Sequence, residues 1–143
     1  MEIIDVEPGD PRLTAELLPV LCELRPHLTA ESFAEVYDEG YEQGLRFTGA
    51  YWHEGGCVGV AGWRLVVNTH RLRMLYVDDL VTAARARSAG VGRALLAHLE
   101  ERARELGCTA IELDSGTHRR DAHRFYMRER MTIMGFHFDK ALD

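Results

Sequence analysis

The stretch Arg87-Ser88-Ala89-Gly90-Val91-Gly92-Arg93-Ala94 constrains the fold of this chain most, because it sets two glycines between a strand-like segment and a helix-like one. Residues 72–82, running through Met74-Leu75-Tyr76-Val77 and Leu80-Val81-Thr82, are rich in β-branched and large apolar side chains and read as a strand. Beyond the glycines, Val91, Leu95, Leu96, Leu99, Ala103 and Leu106 recur at three- and four-residue spacing, with Arg93, Glu100, Glu101, Arg104 and Glu105 on the other side. That pattern predicts an amphipathic helix over 90–106, with Gly107 in the usual capping place. The glycine loop thus becomes a helix N-terminus, where the first backbone N–H groups have no partner inside the helix.

Such a terminus suits a phosphate. Gly90 and Gly92 allow close backbone approach, and the positive end of the helix dipole favours an anion by about 0.3–1 kcal/mol. Arg85, Arg87 and Arg93 add guanidinium groups whose forked donors match phosphate oxygens. A glycine loop with solvated arginines is the competing reading; the strand before and the helix after favour the phosphate. Two familiar phosphate loops fail. No Gly-Lys-Ser or Gly-Lys-Thr is present, so there is no Walker A loop. A dinucleotide fingerprint would put Leu95 where its third glycine belongs, and no βαβ unit precedes the loop.

The remainder of the 143 residues predicts a single domain over 1–143. Ile3, Ile4 and Val6 read as a first strand, and Leu13, Leu17, Leu18, Leu21 and Leu24 as a helical stripe kinked by Pro19 and broken at Pro26. Thr29-Ala30-Glu31-Ser32 starts a second helix that Gly44 closes. Strands over 45–52 and 57–67 flank a glycine turn, a further strand follows the helix at 110–114, a helix spans 120–130, and 132–138 reads as a final strand. The strand at 110–114 follows a crossover helix and should lie parallel to its predecessor. The order predicts a mixed α/β fold on one central sheet.

Apolar runs are too short to span a bilayer and Met1-Glu2-Ile3-Ile4-Asp5 lacks a basic signal start, so the sequence reads as cytoplasmic with no membrane partner. A net charge of −6 argues against nucleic acid and weakly favours a cationic substrate. Cys22, Cys57 and Cys108 have no paired spacing, so neither a disulfide framework nor a metal is indicated. A homodimer is compatible with all of this.

Arg87-x-x-Gly90-x-Gly92 resembles the Arg/Gln-x-x-Gly-x-Gly/Ala loop of the GCN5-related N-acetyltransferases (GNAT). The resemblance extends through residues 76–81, through Ile111-Glu112-Leu113-Asp114-Ser115-Gly116, and through Asp121-Ala122-His123-Arg124-Phe125-Tyr126, about half of the chain. It implies a mostly antiparallel sheet with one splayed parallel pair, helices on both faces, and acetyl-coenzyme A as co-substrate. On that implication Arg85, Arg87, Ser88, Ala89, Gly90, Val91, Gly92 and Arg93 wrap the pyrophosphate. Backbone groups of Leu80 and Val81 hold the pantetheine arm, and His123 adds to the coenzyme site. The family often has an asparagine where this chain has Arg119, and Gly-Phe where it has Arg130-Met131.

Three side chains are catalytic candidates. Tyr126 shares a helix face with Ala122 and Phe125, which from periodicity alone reads as a core aromatic. The resemblance makes its phenol the proton donor to the departing thiolate. Asp78 and Asp79 are neighbours in a strand, so regular pleating would bury one without an obvious partner; a β-bulge would bring both to the cleft. There they would hold a substrate cation, take its proton through water, or pair with an arginine; polyamine acetyltransferases look similar in having paired acids here. His118, Asp121 and His123 read as a helix-entry loop, with Asp121 as the helix cap. Arg25, His27, Glu31 and Tyr37 are acceptor-side candidates without assigned roles. The expected activity is acetyl transfer to a primary amine of a small molecule or peptide; the alternative is a non-catalytic coenzyme A-binding sensor.

Overall fold

The structure, a computed structural model, describes residues 1–143, which divide into two compact units, Met1–Glu112 and Leu113–Asp143. In chain order the elements are β1 (Glu2–Val6), a π-helical turn (Leu13–Leu17), α1 (Leu18–Leu21), α2 (Ala30–Glu42), β2 (Arg46–Trp52), β3 (Gly56–Val66), β4 (Met74–Thr82), a 3-10 turn (Ala84–Ala86), α3 (Val91–Glu105), β5 (Ala110–Leu113) and α4 (Arg120–Arg128). The five strands form one sheet in the order β1-β2-β3-β4-β5. The first three pairings are antiparallel, and β4 and β5, joined through α3, are the parallel pair. The mixed α/β architecture is the one the sequence predicts. No helix is long and apolar enough to cross a membrane.

The first helical stripe is broken where Pro19 falls. Proline has no N–H to give a carbonyl one turn back, and the chain opens into the wide π turn before it and closes as α1 around it. Leu13, Leu17, Val20 and Leu21 still reach the core from this irregular segment. α2 starts as the sequence requires: Thr29 Oγ1 accepts from the Ser32 N–H at 3.1 Å, and Ser32 Oγ accepts from the Thr29 N–H at 2.9 Å. Its Phe33 and Tyr37 pack edge-on against Phe47 of β2 at ring separations of 5.0 and 4.8 Å.

Strand alternation decides which side each residue serves. Phe47 and Val60 join Leu17, Leu21, Phe33 and Tyr37 in a core under the N-terminal helices. Gly59 lies next to Val60 and so points to the opposite face, where a Cβ would come within 2.5 Å of Val91 Cγ1 and 2.9 Å of Leu95 Cδ1. Those two are buried residues of α3, so the first turn of α3 lies directly on the backbone of β3. On the same face, Trp63 Nε1 donates to Thr48 Oγ1 at 3.0 Å, and Thr48 Oγ1 donates to Asp5 at 2.6 Å. Asp5 is also paired with Arg102 of α3, so both ends of that helix are fastened to the sheet.

The second unit differs from expectation at two places. Residues 132–138 form no strand: nothing from Met131 onward is helix or strand, and Ile133, Met134, Phe136 and Phe138 are exposed. Their apolar alternation satisfies β-propensity, but propensity describes a fit to a pleated, half-buried surface, and the segment has no ladder partner to supply one. Asp121 is not the cap of α4; Arg119 holds that position, and Asp121 sits in the first turn, 2.9 Å from Arg124 Nη1. Its carboxylate still complements the helix dipole from there.

Gly59→Ala should lower the melting temperature by several degrees, since overpacking a filled interface costs about 1–3 kcal/mol. A thermal melt followed by circular dichroism checks this. An unchanged midpoint would mean that α3 lies further from β3 than described.

Candidate active site

The glycine loop is built by strain as well as by sequence. Leaving β4, the chain is held by the Ala83 N–H on the Val58 carbonyl at 2.8 Å and the Ala84 N–H on Glu23 Oε1 at 2.9 Å. It then passes through Ser88 at φ 63° and Gly90 at φ 82°, both in the left-handed region that disfavours side chains. Gly90 caps α3 without a side-chain bond, and the Ala94 N–H is the first to reach back, to the Gly90 carbonyl at 3.0 Å. Upstream of Ala94 the amides of the first turn face the loop, where Arg87, Ser88, Ala89 and Gly90 are exposed and Val91 is anchored in the core. Arg85 is tied to the hairpin turn instead: its Nη2 donates to the Gly55 and Cys57 carbonyls at 2.6 and 2.9 Å. Leu80 and Val81 pair across with Ala61 and Val60 of β3.

Asp78 and Asp79 sit at a register shift. Gly62 pairs with Asp79 but Trp63 pairs with Val77, so Asp78 is the extra residue of a bulge in β4. By alternation Gly62 and Arg64 share a face, and both acids find arginines: Arg64 Nε donates to Asp78 Oδ2 at 2.9 Å, and Arg25 Nε donates to Asp79 Oδ1 at 2.7 Å. Arg25 Nη2 also donates to the Asp78 carbonyl at 3.1 Å. The carboxylate of Asp79 is only 14% exposed against 45% for Arg25. Burial therefore raises the Asp79 pKa, with the Arg25 hydrogen bond opposing it and the adjacent Asp78 charge adding to it. Room for the carboxylate depends on Gly62, where a Cβ would stand 2.9 Å from Asp79 Oδ2.

The second unit carries the aromatic candidate. Tyr126 is half-buried on α4 and packs edge-on with Phe125 at 5.5 Å. Burial raises its phenol pKa above the ordinary value, and the nearby Arg119 pulls it back, so the hydroxyl keeps its proton at neutral pH. His123 Nε2 lies 2.8 Å from the Gly116 carbonyl, which pins the loop before α4. Among the acceptor-side candidates, Tyr37 is a core residue: its hydroxyl donates to the Val6 carbonyl at 2.6 Å, and burial pushes its pKa up to about 12. His27 and Glu31 are exposed and Arg25 alone reaches the acids. Arg64 is absent from the sequence-derived candidates; the signal was a charged residue inside the otherwise apolar run Cys57–Val66.

The raised pKa of Asp79 has a sign that can be tested. An acid whose folded pKa lies above its unfolded value contributes stability below the unfolded pKa and loses it as pH rises through the folded one. Asp79→Asn removes that loss. Its melting temperature relative to the native chain should climb as pH rises from about 4 towards neutrality, the window opened by the upward shift. A pH-independent difference would mean that Arg25 cancels the effect of burial, and a falling one that it outweighs it.

With this geometry in place, comparison with known proteins is direct. Residues 14–130 match the Acetyltransferase (GNAT) family. The chain is 32% identical over 128 residues to the uncharacterized N-acetyltransferase YhdJ of Bacillus subtilis, covering 90% of this chain and 87% of that one. It is 31% identical over 152 residues to the aminoalkylphosphonate N-acetyltransferase of Salmonella typhimurium, covering 92% and 97%. Its fold superimposes on the crystal structure of a Trypanosoma brucei acetyltransferase with a TM-score of 0.78 at 24% identity, over 99% of both chains. A strand, a strained glycine loop and a capped helix thus coincide with a family match over most of the sequence, and the chain belongs to the GNAT acetyltransferase family.

Proposed function

We propose that this acetyltransferase moves the acetyl group of acetyl-coenzyme A directly to the nitrogen of a primary amine. The observation that carries the reading is the first turn of α3, whose amides open onto an exposed loop held left-handed at Ser88 and Gly90. The backbone of Arg87, Ser88, Ala89, Gly90, Val91, Gly92 and Arg93 takes the diphosphate, with the Arg87 and Arg93 side chains as cations beside it. The edge of β4 at Leu80 and Val81 takes the pantetheine arm, and one N–H there polarises the thioester carbonyl, a device worth about 3 kcal/mol in other enzymes.

The amine must arrive neutral. With a pKa near 10, only about one molecule in a thousand is unprotonated at pH 7, so a proton acceptor is needed. Asp79 is suited to that task, because burial raises its pKa towards that of a working base, with Asp78 beside it. The amine nitrogen attacks the carbonyl carbon, the C–S bond breaks, the thiolate takes a proton from the Tyr126 hydroxyl, and the proton lost by the amine leaves through Asp79. Arg119 stands by the phenol to stabilise the phenolate formed.

The family resemblance supports Tyr126 in this role. Tyr126→Phe should lower kcat by about 10²-fold or more while leaving the affinity for coenzyme A unchanged. Calorimetry with coenzyme A and thiol release with a panel of small primary amines measure the two separately. The aminoalkylphosphonate named for the Salmonella relative is the first amine to try. Absence of coenzyme A binding defeats the whole reading, whereas an undiminished kcat in Tyr126→Phe defeats only the acid.

A further inference from the structure

Beside the β4 bulge, two acids and two arginines stand on one face: Asp78 with Arg64, Asp79 with Arg25. Their formal charges cancel, which is the wrong electrostatics for a polyamine. A substrate carrying only positive charge would have to compete with Arg25 for the Asp79 oxygen that the guanidinium already holds at 2.7 Å. The arginine half of the pair is instead open to solvent, while Asp79 is largely buried beside it. A guanidinium has five N–H donors, and Arg25 directs only Nε and one Nη2 hydrogen inward, to Asp79 and to the Asp78 carbonyl. Its remaining donors lie on a side chain that is 45% exposed. Asp79 uses Oδ1 for Arg25, and Oδ2 lies over the bare backbone of Gly62. Solvent-facing guanidinium donors and a carboxylate thus stand side by side, joined by the Arg25–Asp79 bond.

The geometry points to Arg25 as a specificity-determining residue that selects acceptors carrying an acid group close to their amine, a zwitterion rather than a simple amine or a polycation. The oxyanion of such a molecule docks on the outer donors of Arg25, where the planar fork favours a two-pronged contact. Its ammonium then falls beside Asp79 Oδ2 without disturbing the Arg25–Asp79 bond, and no buried charge is left unpaired at any stage. The inference rests on the acetyltransferase reading and adds the chemical class of the acceptor to it.

The test compares β-alanine with propylamine and putrescine as acceptors, following thiol release from acetyl-coenzyme A in the native enzyme, in Arg25→Gln and in Arg25→Lys. The native enzyme should favour β-alanine by at least ten-fold in kcat/KM. In Arg25→Gln that preference should vanish through a rise in the KM for β-alanine, and Arg25→Lys should restore part of it, because it keeps the charge but not the fork. Two results overturn the inference: propylamine or putrescine used as well as β-alanine by the native enzyme, or an equal loss with every acceptor in Arg25→Gln. If none of the amines is acetylated, calorimetry of β-alanine on the native chain and Arg25→Gln decides the inference. Binding that the variant loses supports it, and no binding to the native chain overturns it.

Discussion

Placing two adjacent carboxylates inside a sheet without isolating either is the constraint on which the site depends. In a regular strand Asp78 and Asp79 would face opposite sides, and one would lie among the apolar residues beneath α3 with no countercharge. The single extra residue at Asp78 removes that conflict, because it lets the strand present both acids to the side where Arg25 and Arg64 stand. Glycine at position 62 completes the arrangement: any side chain there would collide with Asp79 Oδ2 and with Phe47. The consequence is a buried acid whose pKa is raised but which remains hydrogen-bonded, a state suited to exchanging a proton.

A second glycine contact governs the other half of the site. Because Gly59 has no side chain, Val91 and Leu95 sit down on β3, and the N-terminus of α3 is fixed where β4 delivers the chain. The left-handed residues Ser88 and Gly90 then turn the exposed loop into the first turn of α3. Left-handed serine is costly by about 1–2 kcal/mol, and burial of Val91 just beyond it offsets this. The geometry of the loop is thus held by the packing of α3 against the sheet.

Much of this was legible in the residues. Periodicity placed α2, α3 and the first strands because their apolar faces are wide and their caps, Thr29 with Ser32 and Gly107, are local interactions. The bulge was legible too, from the cost of burying one of two neighbouring acids. What was not legible shares one cause. The identity of the arginines that meet Asp78 and Asp79 and the absence of a strand over 132–138 both depend on partners distant in sequence. Tyr37 illustrates the limit, since its spacing suited a cleft residue as well as the core residue it is.

The chain alone determined the order of its elements, the helix that follows the glycine loop, and the acids that needed an explanation, because these follow from dihedral preferences and charges carried by neighbouring residues. Only the tertiary structure decided that Arg25, from beyond α1, and Arg64, from mid-strand, close on those acids and leave a neutral, two-signed surface. Ion pairing between residues 54 and 14 positions apart is set by how helices and strands pack, and no local pattern encodes it.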